Sequence, residues 1–273
     1  MGAARNPAGI TVHGVLGSVA PGLDLAEGAI VAGKYRIERL LSAGGMGAVW
    51  VATHLMLDTA VAIKFMGIPY DARHISSAEA ILRARFEREA RIAAQLRSVN
   101  IVQILDYGVD GSRAYIVMEM LQGEDLEQRL QRRGRLPLDE TAALMVPVLQ
   151  LLQRAHDASM VHRDLKPANI FIAIDGDKEV PKVLDFGVAK DVGGAATGVD
   201  LTSEQAIVGS PSYASPEQLT KSVAIDHRAD IWSMGVVLFE MLTGSRPFSK
   251  EQVVPAIVEV CTAPIPTPTH VLP

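Results

Sequence analysis

The sequence predicts an α+β protein of two unequal lobes, a small β-rich one followed by a mainly helical one. Three observations predict it. Short β-rich runs at 34–37, 48–53, 60–66, 103–108 and 114–119 surround one helical stretch, 78–97. From about Gly123 onward the pattern turns helical. Within that second half stands a chemically specific string, His162-Arg163-Asp164-Leu165-Lys166-Pro167-Ala168-Asn169, followed by Asp185-Phe186-Gly187.

The elements follow in order. Residues 1–33 are rich in Gly and Ala, carry Pro7 and Pro21, and show no sustained period, so they read as a mobile leader. The first lobe spans 34–120. Its strand at 34–37 leads to a glycine turn between Ser42 and Gly47, and strands at 48–53 and 60–66 follow. In 78–97, Ile81, Phe86, Ile92 and Leu96 fall along one helical face. The second lobe spans 121–273. Asp139 reads as the N-cap of a long helix reaching about Ser159, with Val148, Leu151, Leu152 and Ala155 at helical spacing. Pro147 inside it predicts a local kink. Residues 230–244 read as a largely buried helix, 250–261 as another, and 193–202 as a loop.

Composition removes several classes. With 48% hydrophobic residues in 273, the chain can bury cores for both lobes. A net charge of -5 exerts no general pull on nucleic acid. Arg83, Arg85, Arg88, Arg91, Arg97 and the Arg132-Arg133 pair therefore read as solvated helix faces, with no aromatics interleaved. Cys261 is the only cysteine, which rules out a disulfide framework or a cysteine-based zinc site and suits a cytoplasmic setting. No segment reaches the roughly 18–20 apolar residues of a membrane span, since 231–242 is short and holds Glu240. The first ten residues lack a signal-peptide pattern, and Asn6 departs from the myristoylation motif.

The string at 162–169 carries chemistry. Asp164, Lys166 and Asn169 offer a base, a cation and a metal ligand on one loop, and Asp185 adds a second metal ligand. Together they can hold a hydroxyl, a phosphate and two Mg²⁺ ions in line, as phosphoryl transfer needs. Ser42-Ala43-Gly44-Gly45-Met46-Gly47-Ala48-Val49 lies between two strands, where glycines let backbone amides approach phosphates. Taken alone, that turn could equally be a plain hairpin. Lys64, in Val61-Ala62-Ile63-Lys64, needs an anionic partner if buried, and Glu87 and Glu89 in Arg85-Phe86-Glu87-Arg88-Glu89-Ala90 both offer one.

Taken together, these motifs resemble the eukaryotic-type (Hanks-type) serine/threonine protein kinases, over about residues 35–263. The phrases Gly44-Gly45-Met46-Gly47, Arg85 to Ala90 and Ser215-Pro216-Glu217-Gln218 are similar to the bacterial branch. The resemblance implies the two-lobed protein kinase fold with ATP and Mg²⁺ in the cleft. By it, Asp164 orients and deprotonates the substrate hydroxyl, Lys166 neutralises the migrating phosphoryl group, and Asn169 and Asp185 hold Mg²⁺. Lys64 pairs the nucleotide's α and β phosphates, with Glu89 of the Arg-Glu-Ala triplet as its partner. Nucleotide contacts fall to Ser42, Ala43, Gly44, Gly45, Met46, Gly47, Val49 and Ala62, with Met118 at the rear. The connector Ile116-Val117-Met118-Glu119-Met120 offers adenine its backbone at Glu119, Met120 or Leu121, and Asp125 faces the ribose.

The same resemblance gives His162 a structural place beneath Phe186 and makes Asp230 the carboxylate that ties the catalytic loop. Lys166 favours Ser/Thr substrates over Tyr, and the segment from Gly209 to Glu217 shapes a platform for protein substrates. Arg163 docks a phosphorylated loop residue, for which Thr202 and Ser203 are the candidates and Thr197 a weaker one. Partners are then proteins bearing Ser/Thr, with self-association for autophosphorylation, and neither nucleic acid nor a membrane segment.

Departures from the family pattern are Ser42 for the first loop glycine, Ser210 for Thr, Ser215 for Ala, and an insertion near 67–77. The C-terminal lobe is expected to lack its last helices, with an arginine that pairs Glu217 among the losses. A buried carboxylate left so would cost roughly 3–5 kcal/mol. The leading expectation is an active Ser/Thr protein kinase. The alternative is a catalytically silent nucleotide-binding or scaffold module. A small-molecule phosphotransferase is disfavoured by the platform segment.

Overall fold

Period-2 burial builds the first lobe. In the computed structural model, which describes residues 24–44, 47–66, 96–111, 113–186, 211–220, 225–250 and 252–271, Tyr35 and Ile37, then Ala48, Trp50 and Ala52, then Val61, Ile63 and Phe65 are all buried. Side chains two apart on a strand share a face, so these positions make one core. The strands are β1 (Ile30–Val31), β2 (Tyr35–Gly44), β3 (Gly47–His54), β4 (Thr59–Met66), β5 (Ile104–Asp110) and β6 (Arg113–Glu119). They form one antiparallel sheet in the order β1-β2-β3-β4-β6-β5. The Tyr35 hydroxyl on β2 donates to Asp106 on β5 at 2.8 Å, although β3, β4 and β6 lie between those strands. The sheet therefore curls until its two sides meet.

The leader expected over 1–33 overlaps this lobe. Residues 24–33 are part of it: Ile30 and Val31 pair with β2, Val31 is fully buried, and Asp24 bonds to Arg113. Val31 and the flanking Leu25 and Ala29 pack onto the core cluster, an apolar contribution too short to show a period in sequence. The expected helix at 78–97 lies outside the described residues except for Leu96 and Arg97, which are not helical.

The second lobe is built on helices α1 (Leu126–Arg133), α2 (Leu138–Asp157), α3 (Pro216–Thr220), α4 (Arg228–Thr243), α5 (Val253–Thr262) and α6 (Pro268–Val271). A three-stranded antiparallel sheet, β7 (Gly123–Asp125), β8 (Ile170–Asp175) and β9 (Lys178–Val183), lies with them. Leu144, Val148, Leu151 and Ala155 of α2 and Met234, Val237 and Met241 of α4 meet in one core. The N-cap of α2 is Pro137 rather than Asp139, which sits in the first turn, and the helix continues through Pro147. Gly244 closes α4 in the left-handed conformation, donating to the Glu240 carbonyl. Gly123 is required where the chain leaves the connector: its φ is 138°, and a Cβ there would strike the Ile172 carbonyl. Between α2 and α4 runs an apolar groove of about 610 Å³ lined by Leu149, Leu152, Met234 and Leu238.

Arg129 pins α1 to the small sheet. Buried itself, it bonds Glu124 on β7 at 2.8 Å and Glu179 on β9 at 2.6 Å, and reaches Glu140 on α2 at 3.4 Å. Arg132 and Arg133, read from sequence as a solvated face, pair with Glu124 and Glu140. Glu217 is only partly buried on α3, so the cost of a fully buried, unpaired carboxylate does not apply to it.

Arg129 holds the Glu179 carboxyl below the usual range, and Arg132 followed by Arg129 does the same for Glu124. Between the depressed values and 4.5, the ordinary value, the unfolded chain binds more protons than the fold. This contribution is therefore complete above 4.5 and lost as pH falls through the folded values. Arg129→Met should cost about 1–2 kcal/mol near neutrality. Denaturant midpoints should show the gap to wild type closing as pH is taken from about 6 to about 3.

Candidate active site

The site is assembled on a loop that has little regular structure of its own. Asp230, fully buried in the first turn of α4, accepts the His162 and Arg163 backbone amides at 2.8 Å each and contacts His156 Nε2 at 2.8 Å. These bonds hold Arg163 at φ 66°, a left-handed conformation that costs a non-glycine residue on the order of 1–3 kcal/mol. His162, also buried, donates from Nε2 to the Leu184 carbonyl at 2.8 Å and accepts the Asp164 amide on Nδ1 at 3.2 Å. Its ring meets Phe186 edge-on, with centroids 4.9 Å apart. Burial pushes the His162 ring pKa down, so it stays neutral and serves as a fixed strut between the two chemistry-bearing segments.

Around that strut the polar groups converge. Asn169, in a 3-10 turn at Pro167–Asn169, donates from Nδ2 to the Asp164 carbonyl at 2.7 Å and to its carboxylate at 3.1 Å. Lys166 Nζ lies 3.3 Å from Asp164 Oδ2. The Leu184 amide donates to the Asn169 carbonyl at 2.9 Å, which brings Asp185 beside Asn169. Asp185 itself has φ 53°. From the other lobe, Lys64 of β4, 6% exposed, places Nζ 2.7 Å from Asp185 Oδ1. Here the two lobes meet across a charged contact.

Strand register gathers the remaining positions. Val49 pairs with Lys64, Ala62 with Met118 and Lys64 with Ile116, so these side chains share one face of the sheet. Ser42, Ala43 and Gly44 pair with Val49, Ala48 and Gly47 in the β2–β3 hairpin. Glu119 ends β6, and Leu121 follows it on the connector. Asp125 N-caps α1, accepting the Gln128 amide at 2.8 Å in a capping box, and burial above all raises its pKa. Gly45, Met46, Glu87, Glu89, Gly187, Thr197, Thr202, Ser203 and Ser210 lie outside the described residues. Among those described, the ion pair of Lys64 is with Asp185.

The donors suit Mg²⁺. Both Asn169 Nδ2 bonds go to Asp164, which leaves the amide oxygen as the atom a hard cation would take, and Asp185 could add a carboxylate. Two supports were not read from sequence. His156 stands under Asp230, and Gln218 joins the catalytic loop to α3 by donating to the Arg163 carbonyl at 2.8 Å and accepting the Ser215 amide at 3.0 Å. Gln218 does lie in the Ser-Pro-Glu-Gln phrase, a signal that pointed to it without giving its role. For His156 no spacing points to the contact.

A buried lysine facing a carboxylate of the other lobe, with Asp, Lys and Asn on one loop, is an arrangement that suits phosphoryl transfer. The family model for the protein kinase domain matches residues 35–266, and the chain belongs to that family. It is 37% identical over 252 residues to the serine/threonine-protein kinase pkn3 of Myxococcus xanthus, covering 92% of this chain and 45% of that one. It is 35% identical to the serine/threonine-protein kinase PknL of Mycobacterium tuberculosis, covering 91% of this chain and 59% of that one. The chain thus spans about half the length of these curated relatives. The crystal structure of the Mycobacterium tuberculosis PknI kinase domain superposes with a TM-score of 0.68 at 24% identity, covering 91% of this chain and 85% of that one, and bears out the two-lobed fold. Among the described residues, no helix is long and apolar enough to cross a membrane.

Removing the Asp230 carboxylate strands two backbone amides, one buried and one partly buried. Asp230→Ala should cost about 2–5 kcal/mol in denaturant unfolding, and Asp230→Asn, which keeps one acceptor oxygen, clearly less. The His162 ring binds protons more readily unfolded than folded, so its contribution is lost as pH falls below 6.5. His162→Gln should flatten that part of the stability profile.

Proposed function

We propose that this chain is a serine/threonine protein kinase that transfers the γ-phosphate of ATP to Ser and Thr hydroxyls of proteins. The observation that carries the reading is the convergence of Asp164, Lys166 and Asn169 on one loop with the Lys64–Asp185 contact between lobes. Asp164 holds the substrate hydroxyl and takes its proton as the oxygen bonds to the γ-phosphorus and ADP leaves. Lys166 neutralises charge on the moving phosphoryl group, and Lys64 holds the nucleotide's α and β phosphates. Asn169 and Asp185 would hold Mg²⁺, which supplies charge neutralisation to the phosphates when bound. Adenine would sit against the Val49, Ala62 and Met118 face and bond the connector backbone at Glu119 and Leu121, with Asp125 toward the ribose. Glu89 is the proposed partner that aims Lys64.

The reading extends to regulation and setting. Self-association would let one copy phosphorylate the loop of another at Thr202 or Ser203, and Arg163 would receive that phosphate. A cytoplasmic site supplies ATP and Mg²⁺ and suits the unpaired thiol of Cys261.

Phosphate incorporation from labelled Mg²⁺-ATP into the chain and into a generic basic protein tests this directly. Wild type should incorporate label on Ser and Thr, with Thr202 or Ser203 among the sites. Asp164→Asn should lower the rate on the order of 10²–10³. A folded wild type that incorporates nothing overturns the kinase reading in favour of a silent nucleotide-binding or scaffold module.

A further inference from the structure

One side chain joins three parts of the structure at the connector without a role in the reading above. Glu119 Oε1 accepts Lys182 Nζ of β9 at 2.7 Å and the Gln103 amide at 2.8 Å, while the Glu119 amide donates to the Gln103 carbonyl at 3.0 Å. Glu119 belongs to the last strand of the first lobe, and Lys182 to the second lobe, close before Asp185. Their side chains are 27% and 13% exposed, so the pair is partly shielded and carries more weight than a solvated one.

The contact sits on a seam. Residues 100–103 lead into β5 yet run along β9: Ile101 bridges Val183 in parallel, Val183 donates to the Asn100 carbonyl, and Val102 donates to that of Val183. Asn100 Nδ2 adds a bond to the Pro181 carbonyl at 2.9 Å. Ile101 is buried in the second lobe's core. Glu119 closes this seam from the connector side. The backbone that follows it, through Leu121, is the stretch proposed to bond adenine.

We propose that Glu119 and Lys182 form a clasp that fixes the connector against β9 and thereby sets the affinity of the nucleotide site. This rests on the nucleotide reading given above. Lys182 is a positioning residue: it touches no reacting atom, and acts by holding the Glu119 carboxylate. Removing it frees the connector to shift relative to the strand that delivers Asp185, so nucleotide binding weakens more than turnover.

The test is a double-mutant cycle with Lys182→Met and Glu119→Gln, the latter keeping an acceptor for the Gln103 amide. Lys182→Met should raise the KM for ATP about 3–10-fold with kcat within about twofold, and Lys182→Arg should restore it. The double variant should be no worse than the weaker single one. Amide exchange at Gln103, Glu119 and Val183, measured without nucleotide, should quicken in the Lys182→Met protein and recover in Lys182→Arg. Unchanged exchange, an unchanged KM in protein that binds ATP, or fully additive effects in the cycle overturn the clasp. Wild type that shows no affinity for Mg²⁺-ATP overturns the reading on which it rests, and the exchange arm separates that failure from the absence of a clasp.

Discussion

The Asp230 carboxylate is the constraint on which the site depends. It is fully buried, and its two oxygens take two consecutive backbone amides and one histidine. A loop with a left-handed Arg163 and hardly any ladder bonds has no reason to hold one shape unless something rigid dictates it. The first turn of a buried helix provides that rigidity, because α4 is packed along its length by the second-lobe core. From Asp230 order passes to His162, from His162 to the Leu184 carbonyl and Phe186, and so to Asp185. Polar groups buried in this way are worth their desolvation only when every one is paired, and here the pairing runs directly into the chemistry.

The second dependence is between lobes. Phosphoryl transfer is mainly a matter of positioning, so groups carried by separate folding units must be held in one arrangement. Lys64 rides on a sheet whose core is its own, while Asp185 follows a strand of the other lobe. What relates them is the seam of 100–103 on β9, reinforced by the Glu119–Lys182 pair. A buried apolar residue, Ile101, sets the seam, and directional polar contacts give it register.

The first lobe's strands were legible because alternating burial writes itself into sequence, and expected and observed strands differ mainly at their ends. The long helix at 138–157 was legible for the corresponding reason at helical period, and 228–243 as a largely buried apolar run. Misreadings have local causes. Asp139 looks like a cap by residue type, but the apolar start of α2 at Leu138 puts it inside the first turn. The strand Ile30–Val31 is too short to carry a period and forms because β2 offers it an edge. β7, β8 and β9 are brief, and β9 holds charged residues whose partners are distant in sequence, as with Lys182 and Glu119.

The sequence by itself determined the chemical inventory: an Asp, a Lys, an Asn and a second Asp at spacings that a single loop and a following turn can present, and a lysine on a strand after a glycine turn. Those are covalent facts, since residue type and local spacing set what a loop can offer. Tertiary structure alone decided which of those groups touch. That Lys64 meets Asp185, that His156 stands behind Asp230, that Gln218 ties α3 to Arg163 and that Arg129 gathers three glutamates are consequences of how α4, β9 and the connector pack. Apart from Arg129 with Glu124 and Glu140, such contacts join residues far apart in the chain, and their geometry is set by core packing, which no local pattern records.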